Sequence, residues 1–115
     1  MTRIPRSAMW ACATVLAVAF VLVGFLKLTG PSAVRWSERF VHWGYPAEAG
    51  YAVGVLEIFG GFGLLVAKVR RAAAATLIAL MVGACVTHLV NAEPLRLLPP
   101  LTFGGLALLV YSWRP

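Results

Sequence analysis

Residues 50–61 read Gly-Tyr-Ala-Val-Gly-Val-Leu-Glu-Ile-Phe-Gly-Gly. Gly50, Gly54, Glu57 and Gly61 recur at spacings of four, three and four. At about 100° per residue they fall within a helical arc of roughly 60°. Small residues on one stripe let a neighbouring helix approach closely, the usual device of helices packed in lipid. Glu57 is therefore on a packing face, in a stretch that is otherwise apolar. A charge in hydrocarbon costs ~3 kcal/mol or more, so this carboxyl calls for a partner, a ligand or a proton.

Working outward, apolar sequence dominates the whole chain. Of its 115 residues, 61% are hydrophobic and 12% charged, about half the charge that a soluble domain's surface needs. Four apolar segments can be drawn, near 9–28, 46–66, 72–90 and 99–113. The first three approach the roughly 20 residues that cross a bilayer. In the fourth, Pro99 and Pro100 are acceptable only in the first turn of a helix. The predicted fold is all-α: one transmembrane domain over residues 1–115, an integral membrane four-helix bundle. Apolar sequence running unbroken to Leu28 suits an uncleaved first span better than a signal peptide.

The net charge of +6 is not spread as a nucleic-acid-binding protein would spread it. Arg3, Arg6, Lys68, Arg70, Arg71 and Arg114 fall on one side of the predicted spans. Lys27, Arg35, Arg39 and Arg96 fall on the other, diluted by Glu38, Glu48 and Glu93. The positive-inside bias then puts both termini in the cytoplasm of a bacterial-type plasma membrane.

Between the first two spans, Pro31 can open a short helix. Ala33, Trp36, Phe40 and Trp43 recur along it at spacings of three, four and three. Such an amphipathic helix is expected to lie along the outer interface, either as an anchor or as a lid. Cys12 and Cys85 differ in predicted depth by ~15 Å and form no dithiol, so both read as buried small hydrophobes. Glu93 and Arg96, three apart in the outer loop, read as a solvated pair of little energetic weight.

Lys27 and His88 are the other two ionisable residues within or at the edge of apolar spans. Helical side chains lean towards the helix N-terminus. Lys27 and His88, on outward-running spans, lean inward, and Glu57, on an inward-running span, leans outward. The three are expected to converge, with Glu57 paired to Lys27 and His88 alongside. His42 and His88 lack the spacing of metal or haem ligands, and nucleotide loops and nucleophile elbows are absent from the sequence.

Further pieces lie around these residues: Gly24-Phe25-Leu26-Lys27-Leu28, Trp43-Gly44-Tyr45-Pro46, Gly54-Val55-Leu56-Glu57, Met81-Val82-Gly83-Ala84 and Thr87-His88. In this order and spacing, from about Ala17 to Leu89, the chain resembles the DoxX-like small membrane proteins. The resemblance implies a four-helix membrane bundle in which Lys27, Glu57 and His88 act together. Relatives include a subunit of a thiosulfate:quinone oxidoreductase and a component of a bacterial membrane assembly that handles thiol and oxidative stress. The wider group holds eukaryotic membrane chaperones and sterol-binding proteins. Lacking a dithiol, this chain would take any thiol chemistry from a partner.

The functional expectation is a membrane protein that binds a small apolar or amphipathic ligand, such as a quinone, between its helices near the outer leaflet. Lys27, Glu57 and His88 would hold the ligand's polar end or relay protons, with Trp36, Trp43 and Tyr51 at the mouth. A redox partner protein would supply electrons if the chain serves a redox assembly, and a homo-oligomer is compatible with the spans. The alternative is a non-enzymatic scaffold or chaperone whose polar cluster is structural. A proton-coupled transporter ranks last, because no broken helix pair is present in the sequence.

Overall fold

The computed structural model describes residues 3–115. Five α-helices follow one another, α1 (Arg6–Leu28), α2 (Gly30–His42), α3 (Ala49–Gly63), α4 (Arg70–Val90) and α5 (Leu98–Ser112), with a 3-10 turn at Pro94–Leu97 leading into α5. No strand occurs among the described residues. Prolines set several helix starts. Pro5 precedes α1, Pro31 sits in the first turn of α2, and Pro99 and Pro100 sit in that of α5. Proline suits these positions because the first helical N–H groups have no partner within the helix.

Among the described residues, three helical stretches are long and apolar enough to cross a membrane: Arg6–Leu28, Arg70–Val90 and Pro94–Ser112. The last is longer than the segment expected from the sequence, because the 3-10 turn runs in line with α5. α3 is shorter than expected. Its 15 residues end at Gly63, and turns fill the following stretch to Val69. Gly60, Gly61 and Gly63 crowd its last turn, and glycine is a poor helix former. Leu64 N–H then bonds the carbonyls of Gly60 and Gly61, closing the helix.

α1 packs along α3, α3 on α4, α4 on α5, and α5 back on α1, while α2 lies across one end against α1 and α3. Even the most buried apolar window, in α1, is only 33% covered by protein. Val18, Leu22, Phe25, Phe59, Val82, Val86 and Leu89 all face outward. A soluble monomer does not expose apolar surface on this scale.

The core fills one end of the molecule. Met9, Ala13 and Leu16 of α1, Ala74 and Leu77 of α4, and Ala107 and Val110 of α5 are buried together, with Leu64 contributed by the turn after α3. Phe20 meets Phe103 edge-on, with centroids 5.8 Å apart, at the boundary of this packed region. Beyond that pair the helices enclose a cavity.

Candidate functional site

The site begins with two glycines. Gly24 of α1 and Gly54 of α3 face each other so closely that a Cβ on Gly24 would lie 2.6 Å from the Gly54 carbonyl oxygen. A Cβ on Gly54 would lie 2.9 Å from the Gly24 carbonyl oxygen. Three residues further along each helix come Lys27 and Glu57. Lys27 Nζ donates to Glu57 Oε1 at 2.7 Å, and both residues are more than nine-tenths buried. The expected convergence of Lys27 and Glu57 is thus what the structure holds.

The pair is not saturated. Glu57 Oε2 bonds no protein group among the described residues, and Lys27 Nζ has one hydrogen-bond acceptor for three N–H groups. Trp36 of α2 covers the ammonium, its ring centroid 4.4 Å from Nζ. Arg39, one turn along α2, stacks on the same ring at 4.8 Å. Cation–π contacts of this kind strengthen when water is excluded. α2 therefore does more than anchor: two of its residues complete the surroundings of Lys27.

The unsatisfied atoms belong to residues lining a cavity of about 610 Å³, within the usual range of small-molecule sites. Phe20 and Val23 of α1, Met81 and Ala84 of α4, and Phe103 of α5 give it apolar walls. α2 packs on α1 and α3 but brings no backbone close to α4 or α5. Side chains alone bridge that gap.

His88 provides one bridge, though with a different partner from the one expected. It lines the same cavity as Glu57, but its Nδ1 is bonded to Glu93 Oε1 at 2.9 Å. Trp43 Nε1 donates to the same oxygen at 3.1 Å, and the Trp43 and His88 rings meet edge-on. Glu93 reaches this position because the chain turns sharply after α4. Ala92 takes a left-handed φ of 55°, and Glu93 N–H bonds the His88 carbonyl at 2.8 Å. A non-glycine residue held there stores of order 1–3 kcal/mol, so the surrounding contacts must enforce it. The His88 hydrogen bond, followed by those of Trp43 and the charge of Arg96, holds the Glu93 carboxyl below its ordinary pKa, with burial opposing them. The expected Glu93–Arg96 pair survives only as this longer-range attraction.

Tyr45 and Thr87 make the second bridge, their hydroxyls 2.7 Å apart. Thr87 Oγ1 donates its proton to the Gly83 carbonyl at 2.8 Å, so Tyr45 donates to Thr87. Tyr51 does not reach the cavity mouth. It is 43% exposed and lines a separate shallow groove with Val34 and Glu38. Its helical position turns it away from the Gly50–Gly54–Glu57 stripe. Trp36 and Trp43 do line the cavity.

Residues 11–110 match the pattern of the DoxX-like family. The chain belongs to the DoxX-like family. Its apolar helices and this membership together make it a membrane protein. No curated protein and no solved structure matches the chain significantly. Both cysteines of this DoxX-like chain are free thiols, Cys12 Sγ lying 3.7 Å from the Leu106 carbonyl oxygen.

Sequence reading missed Arg39, Tyr45, Thr87 and Glu93 as parts of the site. A usable signal existed for Arg39, which follows Trp36 by three residues and so shares its helix face. None existed for Glu93, whose place depends on the backbone turn at Ala92.

Proposed function

We propose that this protein is a membrane receptor for a small amphipathic molecule, held between its helices with its polar end at Lys27 and Glu57. The observation that carries this reading is the unsaturated buried ion pair beside an apolar cavity. A buried pair that served structure alone gains from having all its polar atoms satisfied, since each unmet group in a dry site costs free energy. Here Glu57 Oε2 and two Lys27 N–H groups are left for something in the cavity.

α1, α3, α4 and the stretch from Pro94 to Ser112 would form four crossings, with both termini in the cytoplasm. The greatest extent of 43 Å suits a bilayer of ~40–45 Å including headgroups. α3, at ~22 Å, would cross with the turns at its ends in the headgroup zone. The cavity end, with α2 along the interface, would then face the outer leaflet of a bacterial-type plasma membrane. A quinone is one class of ligand with an apolar body and a polar head. In a redox assembly a partner subunit would supply the electrons, and His88 or Glu57 would relay protons. The scaffold reading would require the cavity to stay empty of anything but lipid.

Native mass spectrometry of protein extracted with its own lipids tests the proposal. A defined small molecule should accompany the wild type and be absent from Ala84→Phe, which fills the cavity wall, with helicity unchanged by circular dichroism. A wild-type protein that carries only bulk lipid, in the same amount as Ala84→Phe, would reject it.

A further inference from the structure

Charges around the cavity are unequal. Its walls carry Lys27, Arg39 and Arg96 against the single carboxylate Glu57, which Lys27 already neutralises. Glu93 stands close to Arg96 but bonds to His88 and Trp43. Glu38, next to Arg39 in sequence, belongs to the separate groove on the other side of α2. Arg39 has no carboxylate partner among the described residues, and its contact is the Trp36 ring that also covers Lys27.

We infer that the ligand is a single-chain amphiphile with an oxyanion head, a carboxylate or a phosphate, taken up with its chain in the cavity. This rests on the amphiphile reading above and names the head group. Arg39 is exposed and stands at the mouth, while Lys27 is buried behind the shared tryptophan. A guanidinium offers paired donors that match the oxygens of either oxyanion, and Lys27 has two N–H groups to add. The chain would run between Val23, Phe20, Met81 and Phe103, where no charge competes. A neutral head would leave Arg39 only the Trp36 ring and solvent. A cationic head would face three cations.

Glu57 makes the inference sharp. Its free Oε2 is met by water or by an O–H kept on the head, as in a singly ionised phosphate monoester, whereas it repels a fully ionised oxyanion and accepts directly from a neutral hydroxyl. Glu57→Gln should therefore tighten a fully ionised oxyanion ligand and weaken a hydroxyl-headed one. Arg39→Gln, at an exposed position that does not threaten folding, should weaken the oxyanion ligand about tenfold and weaken neutral ligands by much less.

The experiment uses full-length protein in a neutral sugar detergent. A brominated C16 acid quenches the cavity tryptophans Trp36 and Trp43, with Ala84→Phe as the blocked control. Palmitate, a monoacyl glycerol phosphate, hexadecanol, a hexadecyl trimethylammonium salt and a short-chain quinone then compete for it. Displacement by palmitate or by the phosphate at concentrations about tenfold below the neutral competitors, with Arg39→Gln removing the advantage, is the expected result. Which of the two wins identifies a fatty acid or a lipid phosphate as the source. Equal or better displacement by hexadecanol or the quinone overturns the oxyanion head and leaves the amphiphile reading standing. Identical quenching of wild type and Ala84→Phe by the brominated acid and by the matching brominated C16 alcohol overturns both.

Discussion

The two ends of the molecule solve the same problem with different results. Each buries a basic residue against a tryptophan. At the packed end Arg70 is 8% exposed, lies 4.3 Å from the Trp10 ring centroid, and donates Nε–H to the Leu64 carbonyl at 2.7 Å. At the hollow end Lys27 is 6% exposed, lies over Trp36, and meets a carboxylate. Arg70 caps a helix end within a filled core. Lys27 pairs with a mid-helix acid beside open space. A buried cation under an indole is thus an ordinary anchor in this fold, and the presence of Glu57 with a cavity is what sets the second end apart.

The largest effect that separates the ends should come from removing the two cations. Lys27→Met leaves Glu57 buried and unpaired, which costs about 3–5 kcal/mol, and the double variant Lys27→Met/Glu57→Leu should recover most of it. Arg70→Met loses a hydrogen bond to a neutral carbonyl, worth roughly 1.5–3 kcal/mol. Denaturant unfolding in one detergent compares them. A double variant no more stable than Lys27→Met would show that the pair is not the coupled unit described here.

Packing gives a second contrast of comparable size. Leu77 is fully buried in the filled end, and Leu77→Ala should cost about 2–5 kcal/mol through lost contacts and a new void. Met81, one turn along α4, already borders the cavity, so Met81→Ala should cost less than about 1 kcal/mol, with fewer contacts to lose. Equal losses would mean that the hollow end closes in solution.

How far the sequence could reveal this contrast depends on how local each cause is. Lys27 and Glu57 could be paired in advance because the Gly24 and Gly50–Gly54–Gly61 stripes mark facing surfaces and side-chain lean follows helix direction. Both causes are short-range and periodic. The short α3 was hidden because Phe62 to Val66 is as apolar as the helix before it, and only the Gly60, Gly61 and Gly63 run hints at its end. In the sequence Glu93 points to Arg96, because neighbours three apart are the obvious pair. Of its actual partners, His88 is reached through the left-handed turn at Ala92, and Trp43 is 50 residues away in sequence. The cavity itself is a property of how five helices fail to meet, which no single stretch encodes.

The smallest expected effect concerns the two indole bonds, and it separates the ends by pH alone. Trp113 Nε1 donates to the Ile4 carbonyl at 3.0 Å at the packed end, and Trp43 Nε1 donates to the Glu93 carboxylate at the hollow end. A carbonyl does not titrate, and Glu93 does. Its bond with His88, aided by Trp43 and Arg96, lowers its pKa from the ordinary 4.5. The folded state therefore favours the ionised form. The contribution of this latch is complete above about pH 4.5 and fades as pH falls through the lowered value. Hydrogen exchange, corrected for intrinsic pH dependence, should show α2 amides and the Trp43 indole losing protection only as the pH falls below the ordinary carboxylate value of 4.5, while the Trp113 indole holds. In Glu93→Gln the Trp43 protection should be weaker at neutral pH and flat with pH. Parallel loss at both indoles in the wild type would point to general acid unfolding instead, and would leave α2 without a latch of its own.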